Sequence, residues 1–161
     1  MRFRGLVLVL GVVVVVIALF LVFLYPYMTF KPPEFVSASW GISSQSSLVS
    51  VVLYFNLWLE NPNPYAISII SSSITVSYNN GVTLSLQPEY LPVELMPHSV
   101  NVTAYTGSIS LSQAAQFILS PPTSYVVTWQ AIIQTPLGTK TVTCTATTYI
   151  PTNQTTQTCT S

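Results

Sequence analysis

The sequence predicts an all-β fold: an Ig-like β-sandwich of about seven strands with one short helix, preceded by a single N-terminal transmembrane helix. Three observations carry that expectation. Apolar and polar residues alternate at period two in segment after segment from Leu53 onward. Prolines, glycines and asparagines punctuate these segments, and no strand–helix–strand alternation is visible. Ahead of them all runs an unbroken apolar stretch from Leu6 to Leu24.

That first stretch sets the expected organisation. As a helix rising 1.5 Å per residue it would extend roughly 30 Å, the thickness of a bilayer's hydrocarbon layer. Arg2 and Arg4 precede it and would remain cytoplasmic, while Tyr25, Tyr27 and Phe30 would form an interfacial belt on the far side. The expected divisions are a basic stub over 1–4, a transmembrane helix over 5–27, a linker over 28–34, the sandwich over 35–150 and a Thr/Gln-rich tail over 151–161. The linker is stiffened by Pro32 and Pro33. This arrangement implies a single-pass plasma-membrane protein, its N-terminus cytoplasmic and its C-terminal domain outside.

Within the domain, Leu53, Phe55, Leu57 and Leu59 alternate with polar or aromatic neighbours and predict a strand with one buried face. Trp58 would then lie on its outer face. The strand should end at Asn61-Pro62-Asn63-Pro64, because proline removes a backbone donor and fixes φ. Ile67 and Ile69 begin the next run. Ile74, Val76 and Tyr78 continue it with the phase shifted across three serines, which predicts a bulge. Asn80-Gly81 marks a hairpin into Val82–Leu86. Residues 87–99 are punctuated by prolines and read as an irregular crossing, after which Val100, Val102 and Ala104 alternate. Leu111, Ala114, Ala115 and Ile118 fall at helical spacing, with a serine cap before them and Pro121 after them. Tyr125, Val127, Trp129, Ala131 and Ile133 predict another strand, and Val142, Cys144 and Ala146 its return partner.

Composition narrows the function. Four basic and four acidic side chains leave a net charge of +0, so no basic groove for nucleic acid is expected. The one histidine, His98, stands near Glu94 in the proline-rich crossing, and there is no aspartate and no nucleophile elbow. No set of three or four metal ligands stands at a workable spacing. No cofactor and no enzymatic activity are expected. Asn101 and Asn153 head sequons that would be glycosylated in an exported chain. Cys144 and Cys159 allow two readings, a disulfide or, for Cys144, a small buried hydrophobe. So few carboxylates lose little on acidification, which suits a cell-surface protein of an acid-dwelling organism, an archaeon for example.

In their order, the apolar helix, "KPPEFVSASW", a strand ending in "NPNPYAI", then "YNNGVTLSL" resemble the late-embryogenesis-abundant group 2 domain, also called the water-stress and hypersensitive-response domain. Asn61, Pro62 and Asn63 stand at that family's Asn-Pro-Asn turn, followed by Pro64. The resemblance covers about Phe35 to Tyr149. It implies a β-sandwich with one helix and a non-enzymatic role in stress or defence at the plasma membrane. The motif itself reads as an architectural turn rather than a ligand site, because asparagine side chains bind nearby backbone.

Three functions follow as expectations. The first is a membrane-anchored extracytoplasmic domain with a stress-protective, structural or partner-binding role, its partner a cell-surface protein, glycan or lipid. The second is a self-assembling archaeal type IV pilin-like subunit, its leader cleaved between Gly5 and Leu6. The third is a lipid- or carbohydrate-binding module, recognisable by a concave apolar pocket between the sheets.

Overall fold

A computed structural model describes the backbone over residues 2–43 and 49–161, and side chains over 13–25, 27–43 and 49–161. Its elements are α1 (Arg2–Met28), β1 (Glu34–Ile42), β2 (Ser50–Glu60), β3 (Ile67–Tyr78), β4 (Thr83–Pro88), β5 (Val93–Leu95), β6 (Val100–Ser110), α2 (Leu111–Leu119), β7 (Ser124–Thr135), β8 (Gly138–Tyr149) and β9 (Gln154–Thr160).

The strands form one antiparallel sheet in the order β1-β2-β6-β4-β3-β7-β8-β9, with β5 also on β3. The sheet is curled into a half-barrel, which corrects the two separate sheets of an Ig-like sandwich. Strand β4 makes the difference. Its first residues pair with β3, and its last two, Gln87 and Pro88, pair with Thr106 and Tyr105 of β6. Alternation in the sequence marks a strand's faces but not a change of partner along its length. Gly107 permits the crossing: a Cβ there would lie 2.5 Å from the Ser85 carbonyl oxygen. The layers are thus stitched on one side, and on the other the end strands β1 and β9 leave an open seam.

The membrane expectation is also corrected. Among the described residues no helix is long and apolar enough to cross a membrane. A single-pass anchor, and the topology drawn from Arg2 and Arg4, are therefore not supported. Residues expected to form an interfacial belt instead meet the domain. Phe30 packs on the core, and the Tyr27 ring lies 6.3 Å from that of Tyr65.

The core fills the concave face. Leu57 and Leu59 of β2 meet Ile67, Ile69 and Ile74 of β3, Trp129 and Ile133 of β7, and Val142 of β8. The phase change across the serines of β3 is a bulge at Ile70: the register on β7 shifts between Ile69 and Ser71. On β6 the buried face is Thr103 and Tyr105, not Val100, Val102 and Ala104. Register explains it, since Thr103 and Tyr105 stand opposite Leu57 and Phe55, and opposite residues share a face. The proline-rich crossing holds the short strand β5, on which Val93 and Leu95 are buried.

Helix α2 starts where expected but docks through a different face. Ser110 and Gln113 form a capping box. Phe117 sets its ring edge-on to Tyr78 at 4.7 Å, and Gln116 Nε2 donates to the Asn80 carbonyl at 2.7 Å. Leu111 and Ile118 consequently face solvent, with Ile118 82% exposed.

A candidate ligand cleft along the open seam

The seam holds two adjoining cavities of about 380 and 390 Å³. Phe35, Leu57, Ile74, Trp129, Cys144 and Ala146 line the first, with Thr145, Thr148, Thr155 and Gln157 adding polar groups from β8 and β9. Leu53, Val76, Leu84 and Leu86 line the second, with Trp40 and Tyr54 beside them. Ala38, Phe55, Tyr125 and Val127 belong to both, so the cavities adjoin across these side chains. Among the described residues no lysine, arginine, glutamate or histidine lines either. Each lies within the size range of small-molecule sites, roughly 300–1,000 Å³, and is lined as such sites are.

Two clamps set the edges of this cleft. On the β1 side the clamp is the Asn-Pro-Asn-Pro turn. The prolines end β2, and the asparagine amides, both buried, take over the backbone partners that a strand would have supplied. Asn63 Oδ1 accepts from the Lys31 amide and Asn63 Nδ2 donates to the Lys31 carbonyl, each at 2.8 Å. Asn63 Nδ2 also donates to Asn61 Oδ1 at 2.9 Å. Asn61 Nδ2 donates to the carbonyls of Tyr65 at 2.8 Å and Leu95 at 3.0 Å, with the Met96 carbonyl at 3.2 Å. The Tyr65 hydroxyl donates to the Thr29 carbonyl at 3.1 Å. The segment leading into β1 is thereby fixed to the domain. Pro62 and Pro64 have no comparable contacts to offer; they set the backbone that aims the two amides.

On the β9 side the clamp is covalent. Cys144 and Cys159 stand opposite each other in the β8–β9 register and are joined as a disulfide. Both sequence readings of Cys144 describe part of its state, for it is bonded and 3% exposed. Every residue of β9 is exposed, so its packing gives the strand little support. Thr148 and Thr155 add one hydroxyl pair at 3.0 Å.

Behind the cleft lies a polar chain. Trp129 Nε1 donates to the Tyr105 hydroxyl at 2.9 Å, and that hydroxyl pairs with Ser72 Oγ at 2.5 Å. Burial raises the Tyr105 phenol above its ordinary value, and the bonds to Ser72 and Trp129 offset part of the rise. Burial also raises Tyr78, assisted by neighbouring Tyr125, and burial raises Tyr65.

The remaining sequence candidates are dispersed. Asn101 is exposed, and its Nδ2 donates to the Glu94 carbonyl at 3.0 Å. Asn153 lies in the exposed β8–β9 turn at φ 51°. His98 and Glu94 are both exposed, and the His98 amide donates to the Asn61 carbonyl at 2.9 Å. The side chains of Arg2, Arg4, Gly5 and Leu6 lie outside the described residues. Sequence reasoning placed Tyr125 and Val127 on a strand but did not mark them, Phe35 or Ala38 as cleft residues, and in β1, where Ser37, Ser39 and Gly41 are also small, nothing singles out Ala38. A second, polar groove of about 490 Å³ lies where β3 carries neither β4 nor β5, lined by Ser71, Ser72, Ser73, Gln87, Gln130 and Thr141 among others.

No family model and no curated protein matches the chain. It is similar in structure to a protein from Archaeoglobus fulgidus, with a TM-score of 0.53 and 11% identity over 80% of this chain and 97% of that one. That likeness is one of fold. Looser overlays reach a structural-genomics protein (TM-score 0.48, 10% identity, 80% and 87% covered) and a protein assigned as ApaA from Bordetella pertussis (0.45, 12%, 81% and 95%).

Proposed function

We propose that the chain is a non-enzymatic binding domain, built on the plan of the late-embryogenesis-abundant group 2 domain, that receives an apolar molecule in its open seam. The cleft between β1 and β8–β9, its two adjoining cavities bearing no charged side chain among the described residues, carries this reading. The turn that resembles the family's mark has an architectural part in it: Asn61 and Asn63 hold the start of one wall. On this reading the partner is a small apolar compound.

Fluorescence titration of the full-length chain with N-phenyl-1-naphthylamine, a neutral apolar probe, tests the proposal. The expected result is saturable enhancement at one probe per chain, with affinity falling by about tenfold or more in Ala38→Trp, equivalent to about 1.4 kcal/mol. Ala38 is exposed on the edge strand and borders both cavities, so the bulky ring fills the cleft without displacing core. Unsaturable binding, or binding indifferent to Ala38→Trp, contradicts the proposal.

A further inference from the structure

Resting on that reading, we infer that the seam takes a single unbranched aliphatic chain with an uncharged polar end, lodged near Thr148, Thr155 and Gln157. Shape is the first argument. Two cavities of similar size meet at a waist of Ala38, Phe55, Tyr125 and Val127, and they run lengthwise between β1 and β7–β8. A compact ligand fills one cavity and leaves the other wet. A flexible chain threads both and removes apolar wall from water along its whole length, at about 25 cal/mol per Å².

Charge fixes the end group. Neither cavity offers an ammonium, guanidinium or carboxylate side chain, so an ionised head inside would be unpaired and costly. The β8–β9 side of the first cavity, level with Tyr125, offers neutral donors and acceptors instead. Thr148 and Thr155 pair their hydroxyls at 3.0 Å, and each oxygen keeps a free lone pair. Gln157 Nε2 has only the long 3.8 Å contact to Cys159 Sγ. A hydroxyl or ester can engage these groups. At the second cavity Trp40, 74% exposed, and Tyr54 flank the mouth.

The test is displacement of N-phenyl-1-naphthylamine from the full-length chain at neutral pH by three compounds matched in carbon count: decanol, decanoate and adamantanol. Decanol should bind about tenfold or more tightly than either of the others. Thr148→Val should weaken decanol several-fold and leave decane unaffected, a readout independent of whether Ala38→Trp folds. Adamantanol or decanoate equalling decanol overturns the inference while leaving an apolar site in place. Failure of all three, together with failure of the probe to bind, overturns the underlying reading as well.

Discussion

The two edges of the seam are held in opposite ways. Strand β1 is positioned by buried amides: Asn63 grips the Lys31 backbone, and Asn61 grips Tyr65 and Leu95. Strand β9 is positioned by a bond, Cys144–Cys159, on a strand with no buried residue. The first clamp is continuous with the core and shares its cooperativity, because its two asparagines are buried and removing an amide leaves part-buried backbone groups unpaired. The second ties an exposed strand to the core through buried Cys144, so its loss should be felt first in β9. A half-barrel that leaves one side open needs both edges fixed, and an edge without packing needs a covalent tie.

The largest effect is expected at the amide clamp. Asn63→Ala strands the Lys31 N–H and C=O and one lone pair of Asn61, and should destabilise the whole domain by about 3–4 kcal/mol in urea unfolding. A loss confined to β1, with the core unaffected, would break the contrast between the edges. Next is the double change Cys144→Ser, Cys159→Ser. Opening a loop with a sequence separation of 15 should cost about 3 kcal/mol in the loop-closure model. Hydrogen exchange should rise first in β9 and only later in β2 and β7, and simultaneous release everywhere would mean that the clamps are not separate.

Tyr105→Phe leaves both edges untouched and leaves Ser72 Oγ and Trp129 Nε1 unpartnered, which should cost about 2 kcal/mol. It also sharpens the pH dependence. A phenol whose folded pKa is raised holds its proton more tightly in the native state. The stability is therefore fully present below the unfolded value near 10.0 and is lost as pH climbs through the folded value. Unfolding midpoints should fall above about pH 10, and less steeply in Tyr105→Phe. The smallest effect is Ser110→Ala, about 1 kcal/mol from the capping box of α2, with neither edge affected.

Much of this fold was legible residue by residue. Alternation located β2, β3, β7 and β8, Asn80-Gly81 located a hairpin, and the phase change across the serines located the bulge at Ile70. What stayed hidden depends on partners rather than on periodicity. The buried face of β6 inverts because Tyr105 stands opposite Phe55. Helix α2 turns Ile118 outward because Phe117 and Gln116 find Tyr78 and Asn80. The expected span is not supported, since no helix among the described residues is long and apolar enough to cross a membrane, and the expected sandwich failed because Gln87 and Pro88 change partners. The grip of the Asn-Pro-Asn turn on Lys31 crosses 32 residues and has no local signature. The cleft is a property of the space between layers, which no single strand encodes.

The central claim is that the open seam, held by these clamps, is where an apolar ligand binds. Amide chemical-shift mapping of the full-length chain titrated with decanol tests it most directly. The account predicts shifts gathered on Ala38, Phe55, Tyr125, Val127 and Thr148, with residues around Ser71 and Gln130 unmoved. Shifts centred on the exposed face of α2 at Leu111 and Ile118, on α1, or on the polar groove of β3 would contradict it.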